Sequence, residues 1–309
     1  MGNSDLLITR MGLGAWAIGG SWKWGWGHQD DSDSIKTIHK ALDKGINWID
    51  TAAIYGLGHS EEVVGKACAE RSGKPYIFTK CSRLWDVNKN DISSSLKASS
   101  LRKEVENSLC RLKIDVIDLY QIHWPNPDED IEEGWETLAA LQQDGKVRYI
   151  GVSNFSAEQM QRIGAVTPIT SLQPPYSLLS RHIEHEILPY CLEHNIGVIV
   201  YSPLASGLLT GKMTRERIKN LPADDWRKSS DNFQEPLLSK NLRLVECLKQ
   251  IGEKHYKTPA EIAIAWTLKN KAVTAAIVGM RRPDQVDGVI HAVDVELDTD
   301  DLEHIEAFF

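Results

Sequence analysis

The sequence predicts an α/β protein: a closed (β/α)8 TIM barrel with additional C-terminal helices. Three observations carry this expectation. Short, often β-branched apolar runs alternate with longer amphipathic segments along all 309 residues. Eight such runs each precede a helical pattern, which implies a closed parallel barrel more readily than an open sheet. No linker, low-complexity tract or shift in composition divides the chain, so residues 1–309 read as one domain.

The eight strands are expected at residues 12–16, 47–50, 76–79, 116–121, 148–152, 170–173, 197–201 and 275–278, mostly bounded by polar residues, Gly or Pro. Helices are expected at 32–44, 60–69, 97–112, 131–143, 156–163, 182–194, 241–255 and 283–292, with extra helices at 258–269 and 299–308. In the first, Ile35, Ile38, Ala41 and Leu42 recur at helical spacing. Ser60 is expected to cap the second, ahead of two acids that suit a helix N-terminus. Leu101, Val105, Leu109 and Leu112 form one stripe of the third. Residues 213–240 are irregular, rich in charge and interrupted by Pro222 and Pro236, which suggests a functional loop.

Composition narrows the function classes. A net charge of -8 gives no general attraction for nucleic acid or an anionic membrane. The five cysteines are scattered and form no CxxC pair, as expected of reduced thiols in a cytoplasmic protein without a zinc site. The N-terminus lacks an apolar signal core, and no apolar run is long enough to span a bilayer. His182 and His185, in RHIEHEI, share a helical face but lack the HExxH pattern, so no metal is expected.

Polar residues just after the strands of such a barrel lie on its active-site face. In order they are Asp50, Tyr55, Lys80 and His123, in the stretches NWIDTAAIY, YIFTK and DLYQIH. Together they suit carbonyl reduction, which needs a hydride at carbon and a proton at oxygen. A phenol with a pKa near ~10 is a usable acid, and a neighbouring ammonium is expected to lower that value by ~1–3 units. Asp50 would hold Lys80 charged and pointed inward. Neutral His123 would donate a hydrogen bond to the carbonyl oxygen. Taken singly, each residue also has a plain reading: turn cap, rim aromatic, solvated lysine, core histidine.

Longer motifs sharpen the picture. GINWIDTAAIYGLGHSEEVVGKA, IFTKC, RLKIDVIDLYQIHWP, GKVRYIGVSNFS, Gln173, YSPLASGLLTGK and GMRRPDQV follow one another in order. From about Leu13 to about Val293 the chain resembles the aldo-keto reductase superfamily. It is most similar to the bacterial branch that also resembles potassium-channel β subunits. The resemblance makes Asp50, Tyr55, Lys80 and His123 the catalytic tetrad and implies NADPH as cofactor. It implies that Ser153, Asn154 and Gln173 hold the nicotinamide carboxamide and that Tyr201 stacks beneath the ring. Ala15, Trp16 and Asp50 would lie beside the ring. Ser202, Pro203, Leu204, Ala205, Ser206 and Lys212 match further cofactor contacts. Gly279, Met280, Arg281 and Gln285 match the adenosine segment, with Arg281 suited to a 2'-phosphate. Arg227 would close over the pyrophosphate. One departure stands out: Gly288 and Val289 replace a Glu-Asn pair common in the family. The formal GxGxxA at residues 12–17 lacks the strand-to-helix context of a Rossmann turn.

Trp22, Trp24, Trp85 and Trp124 fall on loops at the catalytic end and are expected to wall a pocket for apolar or aromatic carbonyl compounds. Trp26 shares the loop of the first two. Trp48, Trp135 and Trp266 are expected to pack the barrel. No basic cluster on these loops calls for an anionic substrate. Two functional classes follow: an NADPH-dependent reductase, or an NADP(H)-holding regulatory or sensor subunit with little turnover. The four intact groups and the lack of a long N-terminal arm favour the first.

Overall fold

The computed structural model describes residues 1–86, 91–223 and 225–309. Strands β1 (Met11–Gly14), β2 (Trp48–Asp50) and β3 (Tyr76–Cys81) are followed by a hairpin, β4 (Arg83–Asp86) and β5 (Asp91–Ser94). Then come β6 (Ile117–Ile122), β7 (Val147–Ser153), β8 (Ser171–Gln173), β9 (Gly197–Val200) and β10 (Val273–Gly279). Eight of them close a parallel barrel in the order β1-β2-β3-β6-β7-β8-β9-β10. All eight expected barrel strands are present. The hairpin is an addition that the sequence did not announce, since RLWD and DISS show no run of alternating apolar residues.

The twofold alternation of strands sorts the barrel interior into layers. Trp48, Phe78, Leu119, Ile199, Ala275 and Ile277 form an apolar inner cluster, joined by Leu6 of the N-terminal segment. The Trp48 and Phe78 rings lie 5.0 Å apart. Gly12 is required here, because a Cβ would sit 2.2 Å from the Trp48 indole. Two residues further along β2 and β3, on the same inward face, stand Asp50 and Lys80. A larger apolar cluster lies between strands and helices and includes Trp135 and Trp266.

Several helices differ in detail from expectation. Residues 182–194 split into a 3-10 turn, His182–Glu184, and a helix, Ile187–Glu193. Pro189 explains the break, since its ring excludes a helical carbonyl four residues earlier. The expected helix at 283–292 is Pro283–Asp287 followed by a 3-10 turn, Ile290–Asp294. Helix Leu237–His255 begins four residues before position 241, directly after Pro236. Ser60 does not cap its helix: Gly58 occupies that position. The Ser60 hydroxyl turns inward instead, donating to the Ala15 carbonyl at 2.8 Å and lying 2.9 Å from the Thr51 hydroxyl. The described residues of the long segment include a short helix, Arg215–Lys219, and the short turns Trp226–Ser229 and Asp231–Phe233. No described helix is long and apolar enough to cross a membrane.

Candidate active site

The ends of β2, β3 and β6 bring four groups together at one mouth of the barrel. Lys80 Nζ, fully buried, donates to Asp50 Oδ1 at 2.6 Å and to the Thr51 carbonyl at 2.9 Å. Its third contact is Tyr55 Oη at 3.5 Å, an electrostatic approach rather than a short hydrogen bond. The other Asp50 oxygen accepts from Gln173 Nε2 at 2.8 Å. Gln173, expected among the carboxamide contacts, thus fixes Asp50 from β8 through its Nε2. The His123 ring stands edge-on to Tyr55 with centroids 5.7 Å apart, and its Nδ1 is buried without a partner.

Tyr55 owes its place to a tight turn. It opens the 3-10 segment Tyr55–Gly58, in which Gly56 and Leu57 adopt left-handed conformations. Gly56 presses against Gly19 so closely that a Cβ would lie 2.1 Å from the Gly19 carbonyl oxygen. Only glycine permits this docking of the Tyr55 turn on the turn Trp16–Gly19.

The electrostatics correct one expectation. The Tyr55 phenol is held well above its ordinary pKa, first by burial and then by the Asp50 carboxylate and Tyr201. The ammonium of Lys80 does not reverse this, because its charge is already matched by Asp50 at 2.6 Å. Burial also lowers the Lys80 pKa, against the opposing pull of Asp50. His123 is kept well below its ordinary pKa by burial, Lys80 and Arg83, so its ring is neutral at physiological pH.

Beside the four groups lies a polar floor. The Ser153 hydroxyl donates to the Gln173 carbonyl at 2.8 Å. Asn154, in a left-handed conformation, donates to the His123 carbonyl and to Ser153 Oγ, both at 3.0 Å, and accepts from the Tyr201 hydroxyl at 2.9 Å. After β9, Ser202, Ala205, Ser206 and Gly207 all have positive φ, which folds the backbone into a concavity of the kind that collects anions. Pro203 is buried, Leu204 half-buried, and Lys212 exposed. Met280 is buried in the core, so it offers the mouth only backbone. Gly279 pairs with Gly14 across β1 and β10, and a Cβ there would meet nothing closer than 3.9 Å.

Arg281 is half-buried and, among the described residues, bonded only to neutral acceptors: Gln29 Oε1 at 2.7 Å, the Trp26 carbonyl at 3.2 Å and the His28 carbonyl at 2.7 Å. Gln285 accepts from the Arg281 and Arg282 backbone amides. Burial, then Arg227 and Arg282, push the Arg281 pKa down. Arg227 and Arg282 are paired with Asp225 and Asp284, so among the described residues of this cluster Arg281 is the cation without a carboxylate, and a cofactor phosphate would supply its anion. The polar floor, the concavity and this cluster fit a nicotinamide dinucleotide.

The tryptophans form a connected wall. Trp16 is its hub, with Trp26, Trp226 and Trp22 edge-on at 5.0, 6.4 and 6.5 Å. Trp22 lies 6.2 Å from the Tyr55 ring and carries Trp24 edge-on at 5.6 Å. Trp226 was not anticipated; its only signal is its position beside Arg227. Arg227 pairs with Asp225 at 2.6 Å and stacks over Trp26 at 4.7 Å, so the long segment reaches the loop of the first strand. Trp124 is largely exposed, and Trp85 lies against the Arg111 guanidinium at 5.8 Å. Arg111 in turn pairs with buried Glu61 at 2.7 Å.

A parallel eight-stranded barrel that gathers a phenol, a buried ammonium–carboxylate pair, a neutral imidazole and a concave polar rim at one mouth is the frame of a barrel oxidoreductase. Residues 10–309 match the aldo/keto reductase family, and the chain belongs to that family. It is 41% identical to aldo-keto reductase YhdN of Bacillus subtilis, over 98% of this chain and 90% of that protein. It is 34% identical to the NADH-specific methylglyoxal reductase of Escherichia coli, over 96% and 93% of the two chains. The solved structure of the glycerol dehydrogenase AKR11B4 from Gluconobacter oxydans superimposes with a TM-score of 0.90 at 42% identity, covering 99% of this chain and 92% of that one. The family reduces carbonyl groups with a nicotinamide cofactor.

Proposed function

We propose that this protein reduces small aldehydes and ketones to alcohols with NADPH, and that Tyr55 donates the proton. The observation that carries this reading is the buried Lys80–Asp50 pair set against the Tyr55 hydroxyl, beside neutral His123.

Tyr55 is fully protonated at neutral pH and therefore loaded as an acid. As its proton moves to the developing alkoxide, negative charge forms on Oη, 3.5 Å from Lys80 Nζ. Asp50 and the Thr51 carbonyl already hold the ammonium in place, so this stabilisation needs no rearrangement. His123 supplies a second donor to the same oxygen and orients the carbonyl. The Trp16-centred wall excludes water and strengthens these interactions. Ser153, Asn154 and Tyr201 would hold the nicotinamide, and residues 202–206 with Arg281 its phosphates. When bound, the cofactor supplies the hydride. A panel of methylglyoxal, glyceraldehyde and 4-nitrobenzaldehyde tests the reading: NADPH oxidation supports it. Tight NADPH binding without turnover of any carbonyl would make the protein a regulatory subunit instead.

Arg281 supports NADPH over NADH, although the Escherichia coli relative is named as NADH-specific. Arg281→Gln is expected to raise the KM for NADPH by roughly 10–100-fold and leave that for NADH within a few-fold, since only the 2'-phosphate is lost to it. Equal effects on both cofactors would remove Arg281 from phosphate recognition.

The raised Tyr55 pKa fixes the sign of the pH dependence. Reduction needs the phenol, so its kcat/KM should stay level through the ordinary phenol range and decline only above about pH 10. Alcohol oxidation needs the phenolate and should climb over the same range. A reduction profile falling through neutrality would contradict the assignment.

A further inference from the structure

We infer that Arg83 is an anion receptor in the substrate mouth, and that the favoured substrates are carbonyl compounds carrying a carboxylate or phosphate group. The inference rests on the reductase reading above and names its substrate class.

Position comes first. Ser82 leaves β3 two residues after Lys80 in a left-handed conformation. Its amide is held by buried Glu104 at 2.8 Å, and its carbonyl accepts from the Ser95 amide at 3.2 Å. Its hydroxyl lies 3.5 Å from the Trp124 carbonyl, and the neighbouring Cys81 carbonyl accepts from the His123 amide at 3.2 Å. Arg83 is the next residue. It therefore opens the hairpin directly alongside the His123–Trp124 segment.

Charge comes second. The half-buried Arg83 guanidinium donates to Ser94 Oγ across the hairpin at 2.6 Å, and among the described residues it has no carboxylate partner. A guanidinium has five N–H donors, so most of them face no protein acceptor. Apart from Arg281 at the cofactor rim, which is bonded to neutral acceptors, the cations named at this end of the barrel are neutralised: Lys80 by Asp50, Arg111 by Glu61, Arg227 by Asp225. Exposed Arg148 and half-buried Arg162 and Arg181 are paired as well. In a chain of net charge -8, carboxylates to pair with Arg83 are not scarce. A partly desolvated cation left bare costs stability unless an incoming anion completes it. The ring of His123 already feels this positive charge. A planar fork suits carboxylate and phosphate oxygens alike, and exposed Trp124, whose carbonyl lies 3.5 Å from the hydroxyl of the adjoining Ser82, offers an apolar surface for the intervening carbons. The sequence alone gave no basic cluster on these loops; the hairpin brings a single arginine to the mouth.

The test compares matched pairs with NADPH in excess: 3-carboxybenzaldehyde against benzaldehyde, and glyceraldehyde 3-phosphate against glyceraldehyde. Wild-type kcat/KM should favour the anion in at least one pair by about tenfold or more, and the pair that shows it separates carboxylate from phosphate. Arg83→Gln should bring that ratio to within about twofold of unity, and Arg83→Lys should retain part of it. The ratio cancels any general loss from a disturbed hairpin. Turnover of the neutral aldehydes with no anion preference would overturn the Arg83 assignment and leave the reductase reading intact. A ratio unchanged in Arg83→Gln would overturn it too. No turnover of any of the four compounds would overturn both.

Discussion

Replacing Tyr55 with Phe is expected to lower kcat for carbonyl reduction by about 10²–10⁴-fold, with NADPH affinity and melting temperature close to wild type. The substitution deletes one hydroxyl and keeps the ring that packs against Trp22 and His123. Lys80 loses only its longest contact, at 3.5 Å, and keeps Asp50 and the Thr51 carbonyl. No buried group is stranded, so a stability penalty is not expected. Stopped-flow fluorescence gives cofactor affinity and steady-state assays give kcat. Turnover within a few-fold of wild type would show that another group or water delivers the proton.

Asp50→Leu is expected to act on both stability and catalysis. It leaves the Lys80 ammonium buried with only a backbone carbonyl, and deprives Gln173 Nε2 of its best acceptor. Breaking such a pair from one side costs about 3–5 kcal/mol, which urea denaturation reads as a lower midpoint at similar slope. The double variant Asp50→Leu/Lys80→Met replaces both charges with apolar groups of similar bulk. It should regain most of that stability while remaining inactive. This pattern separates folding from chemistry: the pair is retained because it positions a charge under Tyr55. A single variant losing less than about 1 kcal/mol would mean the pair is far better solvated than its burial implies.

Much of this molecule could be read from its residues in order. The eight barrel strands were legible because they are short, often β-branched apolar runs, mostly between polar bounds. Asp50 and Lys80 were legible because they end such runs on the inward face above Trp48 and Phe78. What escaped was set by side-chain direction and by how charges are shared. Ser60 has the composition of a cap, but Gly58 takes the capping position and leaves its hydroxyl to the β1 end. The shift at Tyr55 was expected with the opposite sign, because the presence of a lysine does not reveal that Asp50 has already claimed its charge. That Gln173 also fixes Asp50 from across the barrel could not be read from the sequence. The four-residue strands of the hairpin carry too weak a pattern to be noticed, so nothing in the sequence singled out Arg83. Trp226 and Trp16 are 210 residues apart and meet only through the fold.

The claim that the Tyr55 phenol moves its proton in the reductive step is tested most directly by single-turnover reduction in H2O and D2O. The protein would be pre-loaded with NADPH, mixed rapidly with excess aldehyde, and followed at pH values on the plateau. A slower step in D2O is expected, because the transferred proton is exchangeable. Identical rates in the two solvents would contradict the account.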